Sequence, residues 1–564
     1  MLRALLNRFG AGVVPSATRA LLLALAGCLA LAGQEGPGRN RRQVQFISLE
    51  QFQAMVRAGT LVAVTPRTLA QQRVATLEAD RRNRDIVEDY LRRHPGLTDL
   101  ARLVKATPDF GPRRDDDGEV RRTLGDGYAF SFTNKSGQRQ TVQMMGQANK
   151  LLLLAHSIQE LSRPAAQLQL YTTFYNQLPA GFCRPAGIDA RGGGGCADLP
   201  SPAALRDAPL ATLRQAVRAL AAHASEIIAQ APIPAQFEPI GCPGEVGDNP
   251  SAAAGLTWGD QTDTVGCPAP SPEGIYANVN FLNKGLLSCI KNQGHRGTCH
   301  IFAATSALEE LVARDTGTFV NLSEQDFQEH VKLLWATNPP DVYGDSGSSW
   351  GDISDAAANH YQFAYENQWD YNPSLSEPVN TYINTCVGYP GSEPGCSDTA
   401  PQAPEYCVTL PPGLPAPPLC GFELAALPGA RSPYTAVGAS DVWNAADPTL
   451  TFNYMILGLA LNNAVLLGFN VTNTFEGAPN GYVPYEPYDL GTSVGGHMVH
   501  VVGYVPNQDL AAAVPLALPG AGGGYFIIKN SWGACTGDAG YYYMPVAYLL
   551  AEAGEVDIVS SVGH

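Results

Sequence analysis

Gln293 lies six residues before Cys299, and a turn of Gly294-His295-Arg296-Gly297-Thr298 runs between them. The chain then takes up an apolar helical pattern at once through His300-Ile301-Phe302-Ala303. A fold that accepts this stretch must put a cysteine at a helix N-terminus and bend the preceding amide side chain back toward it. The positive end of the helix dipole there favours thiolate over thiol. An amide in the turn can donate to an oxyanion. The pattern suits thiol chemistry, and it requires a histidine and a group that orients it elsewhere in the chain.

Two later stretches supply them. Gly495-Gly496-His497-Met498-Val499-His500-Val501-Val502-Gly503-Tyr504 reads as a strand entered by a histidine. Gly524-Tyr525-Phe526-Ile527-Ile528-Lys529-Asn530-Ser531-Trp532-Gly533 reads as a strand that delivers an asparagine and a tryptophan at its end. With Cys, His and Asn in that order and Gln upstream, the chain resembles the papain-like cysteine proteases (family C1). The resemblance implies Cys299 as nucleophile, His497 as base, Asn530 as its orienter and Gln293 as oxyanion donor. Trp532 would shield the His–Asn hydrogen bond from water.

The resemblance covers about residues 275–564. Val279-Asn280-Phe281 through Lys284-Gly285 looks like the family's mature N-terminal strand, and Asn321-Leu322-Ser323-Glu324-Gln325 resembles the start of the helix after the catalytic one. Ser323 with Asp326 also reads independently as an N-cap box. Asp341 to Asp352 is Gly/Ser-rich where the family lines its cleft. By resemblance Gly351 offers backbone hydrogen bonds to an extended peptide, while Ile353 and Met498 line the main side-chain pocket and give it an apolar preference. The implied fold class is α+β: a helical left subdomain led by the Cys299 helix, and a β-barrel-like right subdomain carrying His497 and Asn530. Arg296 and Ser348 stand where the family pairs two cysteines, Thr298 replaces a Ser, and His300 replaces a Trp. His300 is expected to alter the thiolate or shape one side of the cleft, and Arg296 to add positive charge near the thiol.

Net charge is −16, which argues against nucleic acid or anionic membrane as the main partner. Arg3, Arg8 and Arg19 precede an apolar run from Leu21 to Ala32, the form of an export signal over 1–32. Leu25-Ala26-Gly27-Cys28 matches a bacterial lipoprotein box, making Cys28 a candidate lipid anchor; Ala30-Leu31-Ala32 is an ordinary cleavage site instead. The chain is expected to be exported in a bacterium, as a secreted, periplasmic or outer-membrane lipoprotein. Of 12 cysteines, setting aside Cys28 and Cys299 leaves an even number. Close couples, Cys183/Cys196, Cys242/Cys267, Cys386/Cys396 and Cys407/Cys420, fit an oxidising compartment. Cys289 and Cys535 remain, and the resemblance suggests a bridge between them across the active site.

Residues 44–235 read as a mainly helical propeptide or accessory domain. Ser48 with Gln51 caps its start, and a charged helix runs from Ala79 to Arg93. Gly127 to Met144 reads as a hairpin, and Leu151 to Leu178 as a helix interrupted at Pro164. Leu210, Leu213, Val217, Leu220, Ala224 and Ile227 form one apolar stripe. Residues 236–274 read as a linker with a local disulfide, 373–433 as a Pro-rich, Cys-containing insertion, and 507–523 as a loop. His500, three residues past His497, falls on the opposite strand face as a core or surface residue. His295, Cys299 and His300 lack a further zinc-spaced cluster, so no metal or cofactor is expected. The expected function is hydrolysis of peptide or protein substrates by a cysteine endopeptidase, with a zymogen stage. The alternative is a non-catalytic peptide- or protein-binding protein on the same scaffold.

Overall fold

The computed structural model describes residues 81–96, 163–178, 199–229, 245–247, 267–294, 297–331, 352–371, 429–444, 447–485 and 495–564, a few single residues aside. It also describes strand backbones at 113–114, 120–121, 128–133, 139–144, 406–408 and 419–421. The signal and lipid-anchor readings at Cys28, the cap at Ser48 and Gln51, Arg296, Ser348, Gly351 and the side chain of Ile227 lie outside the described residues. So does most of 373–433, although Cys407 and Cys420 pair directly across its small antiparallel hairpin.

The N-terminal region contains helix α1 (81–93), a hairpin of β1 (Tyr128–Thr133) and β2 (Arg139–Met144), then α2 (Pro164–Gln177) and α3 (Leu210–Ala229). Pro164 takes the first position of α2, where its missing N–H costs nothing. The stripe on α3 is buried at Leu213, Val217, Leu220 and Ala224. These side chains do not close a core of their own.

The C-terminal half begins with a single helical turn, Ile275–Asn278. Helix α4 (Cys299–Thr316) ends at Gly317 in the left-handed conformation, φ 71°. Helix α5 (Glu324–His330) starts from Ser323, whose side chain accepts the Asp326 N–H at 3.1 Å as expected. Helices α6 (Asp352–Ala358) and α7 (Pro448–Ala460) follow. The right subdomain is one six-stranded antiparallel sheet. Its strands are β3 (Ser440–Asp441), β4 (Ala464–Val471), β5 (Gly495–Pro506), β6 (Gly524–Lys529), β7 (Tyr541–Pro545) and β8 (Ala553–Val559), in the order β7-β6-β5-β4-β8-β3. One face packs on α4 through Leu466, Met498 and Ala464; the other carries Phe469, Val499 and Phe526. The fold is papain-like.

That second face continues into the N-terminal region. Tyr171, Phe174, Val217 and Leu220 share one core with Leu450, Tyr454 and Leu457 of α7. Tyr454 donates to Gln167 Oε1 at 3.2 Å, Asn463 donates to Gln177 at 2.8 Å, and Arg214 pairs with Asp447 at 3.2 Å. The N-terminal helices and the sheet therefore share one core, because α7 presents an apolar face that needs a cover.

Four expectations are corrected. Residues 279–285 form a turn rather than a strand; Phe281 packs where Gly503 lacks a side chain, 2.8 Å from a notional Cβ. Residues 507–513 form a helix (Asn507–Ala513) within the expected loop. Of the stretch 236–274 only 245–247 and 267–274 lie among the described residues, and there Val246 N–H donates to Phe319 O at 2.9 Å and Ser271 N–H to Asp538 Oδ1 at 2.6 Å. Cys267 bonds to Cys535 with Cα atoms 4.6 Å apart. That excludes both a Cys242–Cys267 couple and a Cys289–Cys535 bridge; Cys289 is itself disulfide-bonded. Spacing along the chain misled here because pairing depends on distance in space.

Candidate active site

The turn before Cys299 is held by backbone pairing with the segment that follows β6. Gln293 N–H donates to Ser531 O at 2.8 Å, and Gly533 N–H to Lys291 O at 3.0 Å. Gly294 and Gly533 have φ of 60° and 79°, which only glycine adopts cheaply. Lys291 is buried with its ammonium on Glu309 at 2.7 Å, Glu324 at 2.8 Å and Asn321 at 2.8 Å. The turn, α4 and α5 are thereby locked together. Tyr371 donates to the Gln293 carbonyl at 2.8 Å and lies 2.6 Å from the Thr298 hydroxyl.

His497, Asn530, Ser531, Gln293 and Trp532 form one linked set, and Cys299 shares a core cluster with Met498, the residue after His497. His497 Nε2 donates to Asn530 Oδ1 at 2.7 Å, and that oxygen also accepts the Ser531 N–H at 2.8 Å. The Trp532 ring lies over His497, with centroids 4.6 Å apart and planes at 31°. His497 Nδ1 is buried with no hydrogen-bond partner among the described residues. Gln293 Oε1 accepts from Ser531 Oγ at 2.7 Å, which orients the amide. The backbones of Met498 and His300 lie near Cys299 Sγ and favour its thiolate form.

Cys299 and His497 are fully buried. Burial pushes the thiol up to about 12 despite those backbone groups. Burial also pushes His497 down to about 4, although its bond to Asn530 favours the imidazolium. In this closed form the pair is neutral thiol and neutral imidazole.

Of the expected pocket residues, Ile353 on α6 and Met498 on β5 share the core cluster of Cys299. His300 is buried and its Nδ1 bonds Asp352 Oδ2 at short range. His500 is also in the core, against Ser306 Oγ at 3.0 Å and Glu310 at 2.9 Å. Sequence reasoning passed over Asp352 and Glu310, since lone acids at those positions carry no local signal.

Residues 452–553 match the sequence profile of the papain family of cysteine proteases. That matched segment runs from within α7 to the start of β8 and is similar to the papain family. A cathepsin L-like peptidase of Aedes aegypti is 26% identical over 277 residues, 49% of this chain and 60% of that protein. The oryzain gamma chain of Oryza sativa subsp. japonica is 28% identical over 267 residues, covering 47% of this chain and 54% of that one. The chain thus spans 60% or less of these two relatives. Xylellain, a cysteine protease from Xylella fastidiosa, aligns at a TM-score of 0.32 and 17% identity over 58% of this chain and 99% of that chain.

Proposed function

We propose that this chain is an exported cysteine endopeptidase made as a precursor, with Cys299, His497, Asn530 and Gln293 as its catalytic set. The observation that carries the reading is the His497 Nε2–Asn530 Oδ1 bond under the Trp532 ring. It fixes the tautomer, so Nδ1 is the acceptor nitrogen, and Met498, the next residue on the strand, shares a core cluster with Cys299. In the open enzyme the proton of Cys299 passes to His497 Nδ1, and the thiolate attacks the substrate carbonyl. The oxyanion takes hydrogen bonds from the Gln293 amide and the Cys299 N–H. His497 gives its proton to the leaving amine, and then accepts one from the water that hydrolyses the acyl-enzyme. Complete burial of Cys299 and His497 supports a covered precursor. The Cys267–Cys535 disulfide supports an oxidising compartment.

The test is full-length chain and Cys299→Ala, incubated under mild reduction from acidic to neutral pH with an unstructured protein substrate. Cleavage by the wild type alone supports the reading. Equal cleavage by both rejects Cys299 as nucleophile. No cleavage and no thiol-probe labelling at any pH leaves a binding protein on this scaffold.

A further inference from the structure

His300 follows the nucleophile directly and takes no part in the proton transfers of Cys299 and His497. Its side chain is 1% exposed, in the first turn of α4. Its Nδ1 meets Oδ2 of Asp352, the first residue of α6, which is itself buried. A carboxylate only accepts, so the imidazole carries a hydrogen on Nδ1 and donates it. Nε2 is buried with no hydrogen-bond partner among the described residues. The contact joins the helix of the nucleophile to α6, whose Ile353 shares the core cluster of Cys299.

Asp352 is a poor neighbour for a thiolate. Burial is the main force that pushes the Cys299 thiol up, and the charge of Asp352 adds to it. The same carboxylate acts on Asp355 of α6, which burial and Asp352 together raise to about 6. It also acts on Glu555 and Asp557 of β8, both raised first by burial. Asp441 of β3 stands opposite Asp557 and adds to the same acidic group. From β5 the titrating side chain at the site is His497; Met498 beside it and Gly468 across from it on β4 carry no charge. His300 is the base that meets this acidic group, at the acid that acts on Cys299.

We propose that His300 is a positioning residue for the nucleophile: its Nδ1–H holds Asp352 and offsets the charge that this carboxylate would otherwise present to Cys299. The inference rests on the protease reading above. A hydrocarbon side chain at position 300 would let the carboxylate oppose thiolate formation. An amide in place of the carboxylate would keep an acceptor for His300 and remove the charge. The two changes touch one contact, yet they act on the sulfur in opposite directions.

The test labels the full chain with iodoacetamide across a range of pH, after mild reduction and removal of the reductant. Modification of Cys299 is read by peptide mass, and thiolate is the reacting form. Asp352→Asn should move the rate–pH profile toward acid by at least about half a pH unit, roughly a threefold gain in rate at a fixed pH on the rising limb. His300→Phe should move it toward alkali. His300→Asn, whose amide can donate from the Nδ1 position, should stay near the wild type. A contact that only supported packing would move Asp352→Asn and His300→Phe the same way. That outcome, or an unmoved profile in a folded Asp352→Asn protein, overturns the proposal. Should His300→Phe fail to fold by circular dichroism, Asp352→Asn and His300→Asn decide the matter. If iodoacetamide modifies Cys299 at no pH and no peptide is cut, the protease reading itself has failed, and this proposal falls with it.

Discussion

Cys267 is bonded to Cys535 across 268 residues of chain, and so fastens the segment ahead of the protease half to the turn beyond Asn530 and Trp532. The bond closes a long loop that contains α4 and most of the six-stranded sheet. The double variant Cys267→Ser/Cys535→Ser should lose about 2–5 kcal/mol of stability. Urea unfolding read by fluorescence measures this, and an unchanged midpoint would show the bond to be structurally idle.

Asn530 should contribute to rate more than to folding. Its carbonyl accepts from His497 Nε2 at 2.7 Å, a bond that strengthens when the ring becomes charged. Such a bond is worth about 1.5–3 kcal/mol, so Asn530→Ala should lower kcat roughly 10- to 100-fold. Steady-state kinetics on a fluorogenic peptide test this, with thermal melting as the control for folding.

Gln293 Oε1 accepts from Ser531 Oγ at 2.7 Å, which sets the orientation of the amide. Removing one oxyanion donor costs about 10²–10³ in kcat, and that loss is expected for Gln293→Ala with little change in KM. Ser531→Ala, which only loosens the amide, should cost less. Equal losses in both variants would mean that Ser531 does more than orient.

Acid should open the closed form. His497 sits at about 4, below the ordinary 6.5, so the closed fold favours its neutral state. A group depressed in this way contributes stability that is complete above about pH 6.5 and is lost as pH falls toward 4. The loss is on the order of 3 kcal/mol. Reaction of Cys299 with a dipyridyl disulfide, a reagent active in acid, should therefore be faster at pH 4 than at pH 7. His497→Asn should flatten that difference.

Lys291 should be the most damaging single change outside the catalytic set. Its ammonium is surrounded by Glu309, Glu324 and Asn321 with almost no solvent. Lys291→Ala leaves two buried carboxylates without it, a change that typically costs about 3–5 kcal/mol. Circular dichroism melting would register this, and a shift within error would show that water replaces the ammonium.

Much of the site was legible because its signals are local. Gln293, the glycine turn and Cys299 lie within one short stretch, and a cysteine opening a helix needs no distant contact to be recognised. Ser323 and Asp326 are likewise a neighbour pair with its own capping chemistry. The β1–β2 hairpin and the α3 stripe follow from period alone. The order Cys, His, Asn and the family resemblance supplied what periodicity does not.

Contacts between distant segments were decided only in three dimensions. The cysteine pairing followed Cα separation, not spacing along the chain, and so joined Cys267 to Cys535. The N-terminal helices cover α7 because both faces are apolar and neither sequence names its partner. Glu555 depends on a bulge: β8 shifts register between Ala553 and Glu555, placing the acid opposite Gly468. Without that extra residue strand alternation would turn its side chain to the other face, toward Phe469. Sequence set which groups the chain could bring to a thiol site; register and packing set which of them meet there, because side-chain direction and burial are properties of the folded sheet.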